Sequence, residues 1–189
     1  MERFILIKTK QISENETEAI LNLFKDAFGS VKNMAIDDVL IIEYHFDEEI
    51  DIKEIVQNIK QDFYLDILVF SSKRKRQEPY FSWVFGLFKN ISFSSDDFFL
   101  DEKGLVRKSL ELDVNEETKK NVLKDVYYDH ELINIIRVFL ECNMNTSKAA
   151  DVLYMHRNTL INKLDKFIEI TGYDIRYFRD AVIIYSIIE

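Results

Sequence analysis

Apolar positions fall in short blocks whose spacing changes along the chain, and each change marks a new element. Phe4 to Ile7 is a compact apolar run of strand length. Ser13 and Glu16 then stand in the capping-box relation, and Ile20, Leu21, Phe24 and Phe28 follow at helical spacing as far as Gly29. Val31 to Ile36 and Val39 to His45 are rich in β-formers, the first more weakly, and Asp37-Asp38 between them suits a tight hairpin. Asp51 with Glu54 opens a second helix whose stripe is Ile52, Ile55, Val56 and Ile59, and Leu65 to Phe70 reads as a buried strand. The order β-α-β-β-α-β predicts a ferredoxin-like layout, an α+β domain with its helices on one face of an antiparallel sheet.

Beyond that unit the pattern becomes helical. The basic tetrad Lys73 to Arg76 reads as a solvated loop after the strand, with a lesser reading as an auxiliary DNA contact. Pro79 to Phe93 reads as a helix covering the sheet: Pro79 suits its first turn, and Tyr80, Phe81, Trp83, Phe85 and Phe88 serve as core, with an effector pocket or dimer face as the alternative. Phe98 to Leu112 follows no single period, and Glu116 to Tyr128 reads as a helical connector. The expected division is therefore a ferredoxin-like sensory or dimerisation domain over 1–113, a connector over 114–129 and an all-helical domain over 130–189.

The last domain carries the functional signal. His130 to Cys142 fits a helix with Leu132, Ile135, Ile136, Phe139 and Leu140 inward, broken by Asn143-Met144-Asn145. Asn145 or Thr146 can cap a short helix, Ser147 to Leu153, in which Ala149 and Ala150 let another helix approach closely. Tyr154-Met155-His156 makes a turn, and a second helix starts at Arg157 with Leu160, Leu164, Phe167 and Ile168 buried. Two helices joined by so short a turn, with a basic, amide-rich face on the second, form a helix-turn-helix.

In such a unit the first turn of the second helix meets base edges. Arg157 can chelate guanine, Asn158 or Asn162 can pair with adenine, and the Thr159 methyl can touch thymine. Ser147, Lys148, Lys163 and Lys166 suit phosphates, with Thr146 beside them at the start of the first helix and both helix dipoles in support. His156 is equally a base or phosphate contact and a cap. Tyr154 stands where such turns often place Gly, and a left-handed conformation there would cost about 1–2 kcal/mol. Ile161 and Asp165 dilute the charge of the second helix.

The run from Asn145 to Ala181 resembles the C-terminal helix-turn-helix of the purine catabolism and sugar diacid regulators. Its most specific parts are His156-Arg-Asn-Thr-Leu160 with Leu164, and Thr171-Gly-Tyr-Asp174. The resemblance covers Asp129 to Ile188, and the helix pair is also similar to the DNA-binding end of the factor for inversion stimulation. In the regulator family the preceding region is often a degenerate diguanylate-cyclase-like domain, itself a variant of the β-α-β-β-α-β layout. Where a cyclase would carry its Gly-Gly-Asp/Glu-Glu-Phe signature, this chain reads Ala35-Ile36-Asp37-Asp38-Val39, so cyclase activity is not expected. The resemblance implies a sequence-specific, non-enzymatic transcriptional regulator that docks on double-stranded DNA as a homodimer, needs no cofactor or metal, and answers to an unidentified small-molecule effector or to none.

Composition changes this picture in two places. The net charge is −9, which opposes binding to a polyanion. Residues 130–189 hold seven basic and eight acidic side chains, however, so most of the acidity lies in the first 129 residues. Four glycines and one proline leave too few turn residues for an all-β sandwich, and the single Cys142 can form neither an internal disulfide nor a zinc site, which suits a reducing compartment. The apolar run after Met1-Glu2-Arg3 is too short for a signal peptide or a membrane span, so a soluble cytoplasmic protein is expected.

The remaining candidates read blandly. Asp37-Asp38 and Asp96-Asp97 suit turns better than a metal, His45 and His130 lack ligand-like neighbours, and Ser72-Lys-Arg-Lys75 is a Ser-x-x-Lys without its partners. The last helix, around Tyr177 to Ile188, is apolar on nearly every side and suggests a dimer contact. Two other classes stay open. A dimerisation or scaffold protein that has lost DNA binding is favoured by the acidity and opposed by Arg157, Asn158 and Lys163. A nucleotide-handling enzyme is opposed by the missing glycine signature.

Overall fold

The structure is a computed structural model that describes residues 2–9, 14–45, 50–64, 66–92, 98–110 and 114–189. It divides into two compact units, Met1–Ser109 and Leu110–Glu189. The readings of Ser13 as a cap and of the Asp96-Asp97 pair lie outside the described residues.

The first unit is built on β1 (Glu2–Thr9), α1 (Glu14–Phe28), β2 (Val31–Ile36), β3 (Val39–His45), α2 (Ile52–Phe63) and β4 (Ile67–Lys75), the expected β-α-β-β-α-β order. Its sheet runs β2-β3-β1-β4-β5, where β5 is the two-residue strand Phe99–Leu100. The first four strands pair antiparallel, and β5 adds parallel to β4. Asp51 caps α2 as expected, accepting from the Lys53 and Glu54 amides at 2.9 and 3.3 Å.

Strand alternation sends apolar side chains to both faces. Ile5, Ile7, Ile42 and Val69 meet Ile20 and Phe24 of α1 and Val56 and Ile59 of α2 in one buried cluster. Phe4, Leu6, Ile41 and Phe70 are equally buried but point the other way. They meet α3 (Tyr80–Asn90), whose Phe81 ring lies 5.2 Å from that of Phe4 and whose Phe88 ring lies 6.4 Å from that of Phe70. The aromatic segment is thus core, as its composition suggests. The sheet is covered on both sides rather than one.

The basic tetrad is not a solvated loop. β4 continues through Lys75, and its charges fasten the second layer of helices to the sheet. Arg74 pairs with Glu102 of α4 (Glu102–Ser109) at 3.0 Å and lies 4.7 Å from the Tyr80 ring centroid. The Tyr80 hydroxyl donates to the same carboxylate at 2.9 Å, and burial together with that charge pushes its pKa up. Arg76 pairs with Glu43 and sits 4.0 Å from the Phe81 centroid. The hairpin acids are engaged too: Asp37, at φ +53°, takes Lys89 at 2.5 Å, and Asp38 takes Lys8 at 3.2 Å.

The second unit contains α5 (Glu116–Leu123), a 3₁₀ turn (Lys124–Tyr128), α6 (His130–Glu141), α7 (Thr146–Val152), α8 (Arg157–Thr171) and α9 (Phe178–Ile188). The stretch expected as a connector supplies α5 and the 3₁₀ turn, which pack on α8. Lys124 Nζ donates to the Ile170 and Thr171 carbonyls at 2.9 and 3.1 Å, which places a cation at the negative end of α8. Arg137 does the same for α9, donating to the Ile188 carbonyl at 2.7 Å.

Candidate nucleic-acid interface

The helix-turn-helix is assembled by local chemistry. α6 ends in a Schellman turn: the Asn143 amide donates to Leu140 O at 2.9 Å and the Met144 amide to Phe139 O at 3.0 Å. Asn143 and Met144 are left-handed, at φ +55° and +59°, and redirect the chain into α7. Asn145, rather than Thr146, caps α7, its Oδ1 accepting from the Lys148 amide at 3.0 Å. Ala149 and Ala150 are buried, at 0% and 3% exposed, so the short helix lies against its neighbours α6 and α8 by its smallest side chains.

α7 ends in the same way. The Tyr154 amide donates to Asp151 O at 3.2 Å and the Met155 amide to Ala150 O at 3.0 Å, with Tyr154 at φ +50° and its ring 98% exposed. The left-handed tyrosine anticipated from the sequence is present. His156 caps α8, its Nδ1 accepting from the Asn158 amide at 3.2 Å. That bond leaves Nε2 as the proton-bearing nitrogen of the neutral ring. Leu160, Leu164 and Phe167 anchor α8 in the core, whereas Ile168 and, on α6, Leu140 are half-buried.

This framework holds the start of α8 outside the protein. Arg157, Asn158, Thr159 and Asn162 are all exposed, three of them in the first turn. Ser147 and Lys148 are exposed at the start of α7, and Thr146 beside them is half-buried. Lys163 and Lys166 lie elsewhere. Lys163 Nζ contacts Glu131 at 3.1 Å and Lys166 Nζ contacts Asp129 at 3.7 Å, so both turn toward the start of α6. These carboxylates are 32 and 37 positions upstream, and no local pattern reveals the pairing. Asp165 is engaged as well, by Arg176 at 3.1 Å, which also binds Asp174 at 2.8 Å. The arrangement is an exposed, capped helix end with a cationic fork, an amide and a hydroxyl in one turn, and it carries no acid before Asp165.

Residues 132–188 match the family described as the PucR C-terminal helix-turn-helix domain. A stretch of 59 residues, 31% of this chain, is 41% identical to the uncharacterized protein YxkF of Bacillus subtilis (strain 168) and covers 20% of that protein. The chain thus aligns with about a fifth of that relative's length. The crystal structure of a regulator of polyketide synthase expression from Bifidobacterium adolescentis shares the fold, with a TM-score of 0.59 at 18% identity over 98% of this chain and 78% of that one. The second unit therefore carries a PucR-type helix-turn-helix domain.

Proposed function

We propose that this chain, whose residues 132–188 form a PucR-type helix-turn-helix domain, acts as a sequence-specific DNA-binding transcriptional regulator. Arg157, Asn158, Thr159 and Asn162 read base edges in the major groove from the start of α8. Ser147 and Lys148, with Thr146 alongside, meet phosphate at the start of α7. His156 is a positioning residue in this scheme, because its ring nitrogen already holds the Asn158 amide. Lys163 and Lys166 reach phosphate only by leaving Glu131 and Asp129, and exposed pairs of this kind are worth less than about 1 kcal/mol, so the exchange is cheap.

The observation that carries the reading is the shared exposure of Arg157, Asn158 and Thr159 on a helix fixed by Leu160, Leu164 and Phe167. The protein acts as a homodimer on two half-sites, in the cytoplasm, and performs no chemistry. Its first unit senses an effector, dimerises or supports the second. Cyclase chemistry is disfavoured at the hairpin, where the acids Asp37 and Asp38 are taken up by Lys89 and Lys8. Among the described residues no helix is long and apolar enough to cross a membrane.

The test is a band shift with genomic fragments over a salt series. A specific, salt-sensitive complex that Arg157→Ala weakens by about 1–3 kcal/mol supports the reading. Loss of Arg157 without effect at any salt concentration removes α8 as the reader. Turnover of a nucleoside triphosphate by the intact chain would revive the enzyme alternative.

A further inference from the structure

Helix α8 has no basic residue in its own last turn to meet the negative end of its dipole. Lys124 supplies one from 46 and 47 positions upstream, through the bonds of its Nζ to the Ile170 and Thr171 carbonyls. These oxygens belong to the last turn, whose carbonyls have no partner within the helix. The backbone that carries this lysine is strained. Lys124 ends α5 at φ +52° and ψ −130°, outside both helical regions, a conformation that costs a residue with a Cβ about 1–3 kcal/mol. Local chemistry at this position argues for glycine. Such a conformation persists only where its surroundings over-determine it, and here Leu123 and Val126 on either side are buried while the side chain between them crosses to α8.

The gripped end lies opposite the exposed one. Arg157, Asn158 and Thr159 stand in the first turn of α8, and Ile170 and Thr171 close the last. Between them α8 rests on α6 and α7 through the row Leu160, Leu164 and Phe167, and a single packed row leaves a helix free to settle over about 15–20° of crossing angle. The helix has 15 residues, so a turn of about 5° about its middle moves the first turn by about 1 Å. A recognition constellation must be held within about 0.5 Å, so a tilt of that size is enough to spoil it. We infer that Lys124 is a positioning residue for the reading end of α8: by holding the far end of the helix it fixes where Arg157, Asn158 and Thr159 point. The inference rests on the regulator reading for the task of that end, and on the Lys124 geometry alone for the grip.

Two measurements on the full chain keep these apart. Residual dipolar couplings of the backbone amides give the angle between α8 and α6 without DNA. Lys124→Met, which keeps most of the stem and loses the donor, is expected to turn α8 by about 5° or more, whereas Lys124→Arg keeps a cationic donor and leaves the angle as it is. Anisotropy titration then uses a labelled duplex of the genomic fragment that the wild-type chain shifts. Lys124→Met weakens that complex about tenfold, as the loss of one base contact would, and Lys124→Arg binds like the wild type. Lys124→Gly removes the strain together with the grip, so its folding does not hang on the lost bonds, and it should behave as Lys124→Met does. A lower urea midpoint in Lys124→Met with angle and affinity unchanged would make the lysine a plain helix cap and overturn the inference. An α8 that turns while affinity stays at the wild-type value overturns it too. A wild-type chain that shifts no fragment removes the DNA reading, and the couplings still decide whether Lys124 sets the direction of α8.

Discussion

Replacing Tyr154 by Gly should make the second unit more stable, although it deletes an aromatic ring. The tyrosine sits at φ +50° in the Schellman turn that ends α7, a conformation that costs an L-residue about 1–2 kcal/mol. Glycine avoids that cost but loses about 0.5–1 kcal/mol through the greater freedom of the unfolded chain. The ring is 98% exposed, so its removal forfeits almost no burial, and the amide bonds to Asp151 and Ala150 do not depend on the side chain. The net gain is about 0.5–1 kcal/mol, which for a unit of this size raises the melting temperature by about 3–6 °C. Far-UV circular dichroism reports it, since this unit is all helix. The lone Trp83 lies in the first unit, and its fluorescence separates the two transitions. Tyr64, at φ +51° and 94% exposed at the end of α2, offers the matched control: Tyr64→Gly should move the Trp83 transition instead. An unchanged or lower melting temperature in Tyr154→Gly would refute the strain argument.

Three further outcomes are expected. Gly172 ends α8 at φ +81° with open space where a Cβ would stand, so Gly172→Ala should lose about 1 kcal/mol in urea titration through backbone strain alone. Ala149 is wholly buried, and Ala149→Leu should cost about 1–3 kcal/mol by forcing α7 off its neighbours, read as a lower urea midpoint. Glu131→Gln releases Lys163; on the proposed reading, DNA affinity should rise at low salt and the salt dependence should steepen, measured by anisotropy titration at several salt concentrations.

The parts of the fold that were legible in the sequence are those whose information is local. The compact apolar runs of β1 and β4, the β-rich stretch of β3, the Asp51 cap and the inward rows of α6 and α8 are each set within a few residues, and they reappear as strands, cap and core. The tetrad Lys73 to Arg76 looks like a loop in sequence because charged residues are uncommon in strands, whereas β4 continues through Lys75 with Arg74 held by Glu102 and Tyr80, which lie outside the segment. β5 is two residues long, too short for any period, and α4 follows it directly. At the candidate site, exposure of the first turn of α8 was readable from the row Leu160, Leu164 and Phe167. The engagement of Lys163 and Lys166 was not, since Glu131 and Asp129 reach them only through the packing of α6 on α8.

The placement of these acids bears on how a chain of net charge −9 could hold a polyanion. Around α8, Glu131 and Asp129 are spent on lysines and Asp165 on Arg176, while the first turn of the helix keeps Arg157 unopposed and adds the positive end of its own dipole. The first turn of α8 is therefore free of acids, with Arg157 and the helix dipole at its end, although the chain as a whole is negative. The number of cations is nonetheless small. With Lys148 and Arg157 as the exposed basic groups at this end, one copy neutralises about two to four phosphates even if Lys163 and Lys166 are released, which gives a salt slope of about −2 to −4. Contacts so few hold a single copy weakly. On the proposed homodimer reading, pairing two copies doubles these contacts, and avidity supplies the affinity that one exposed turn of α8 lacks.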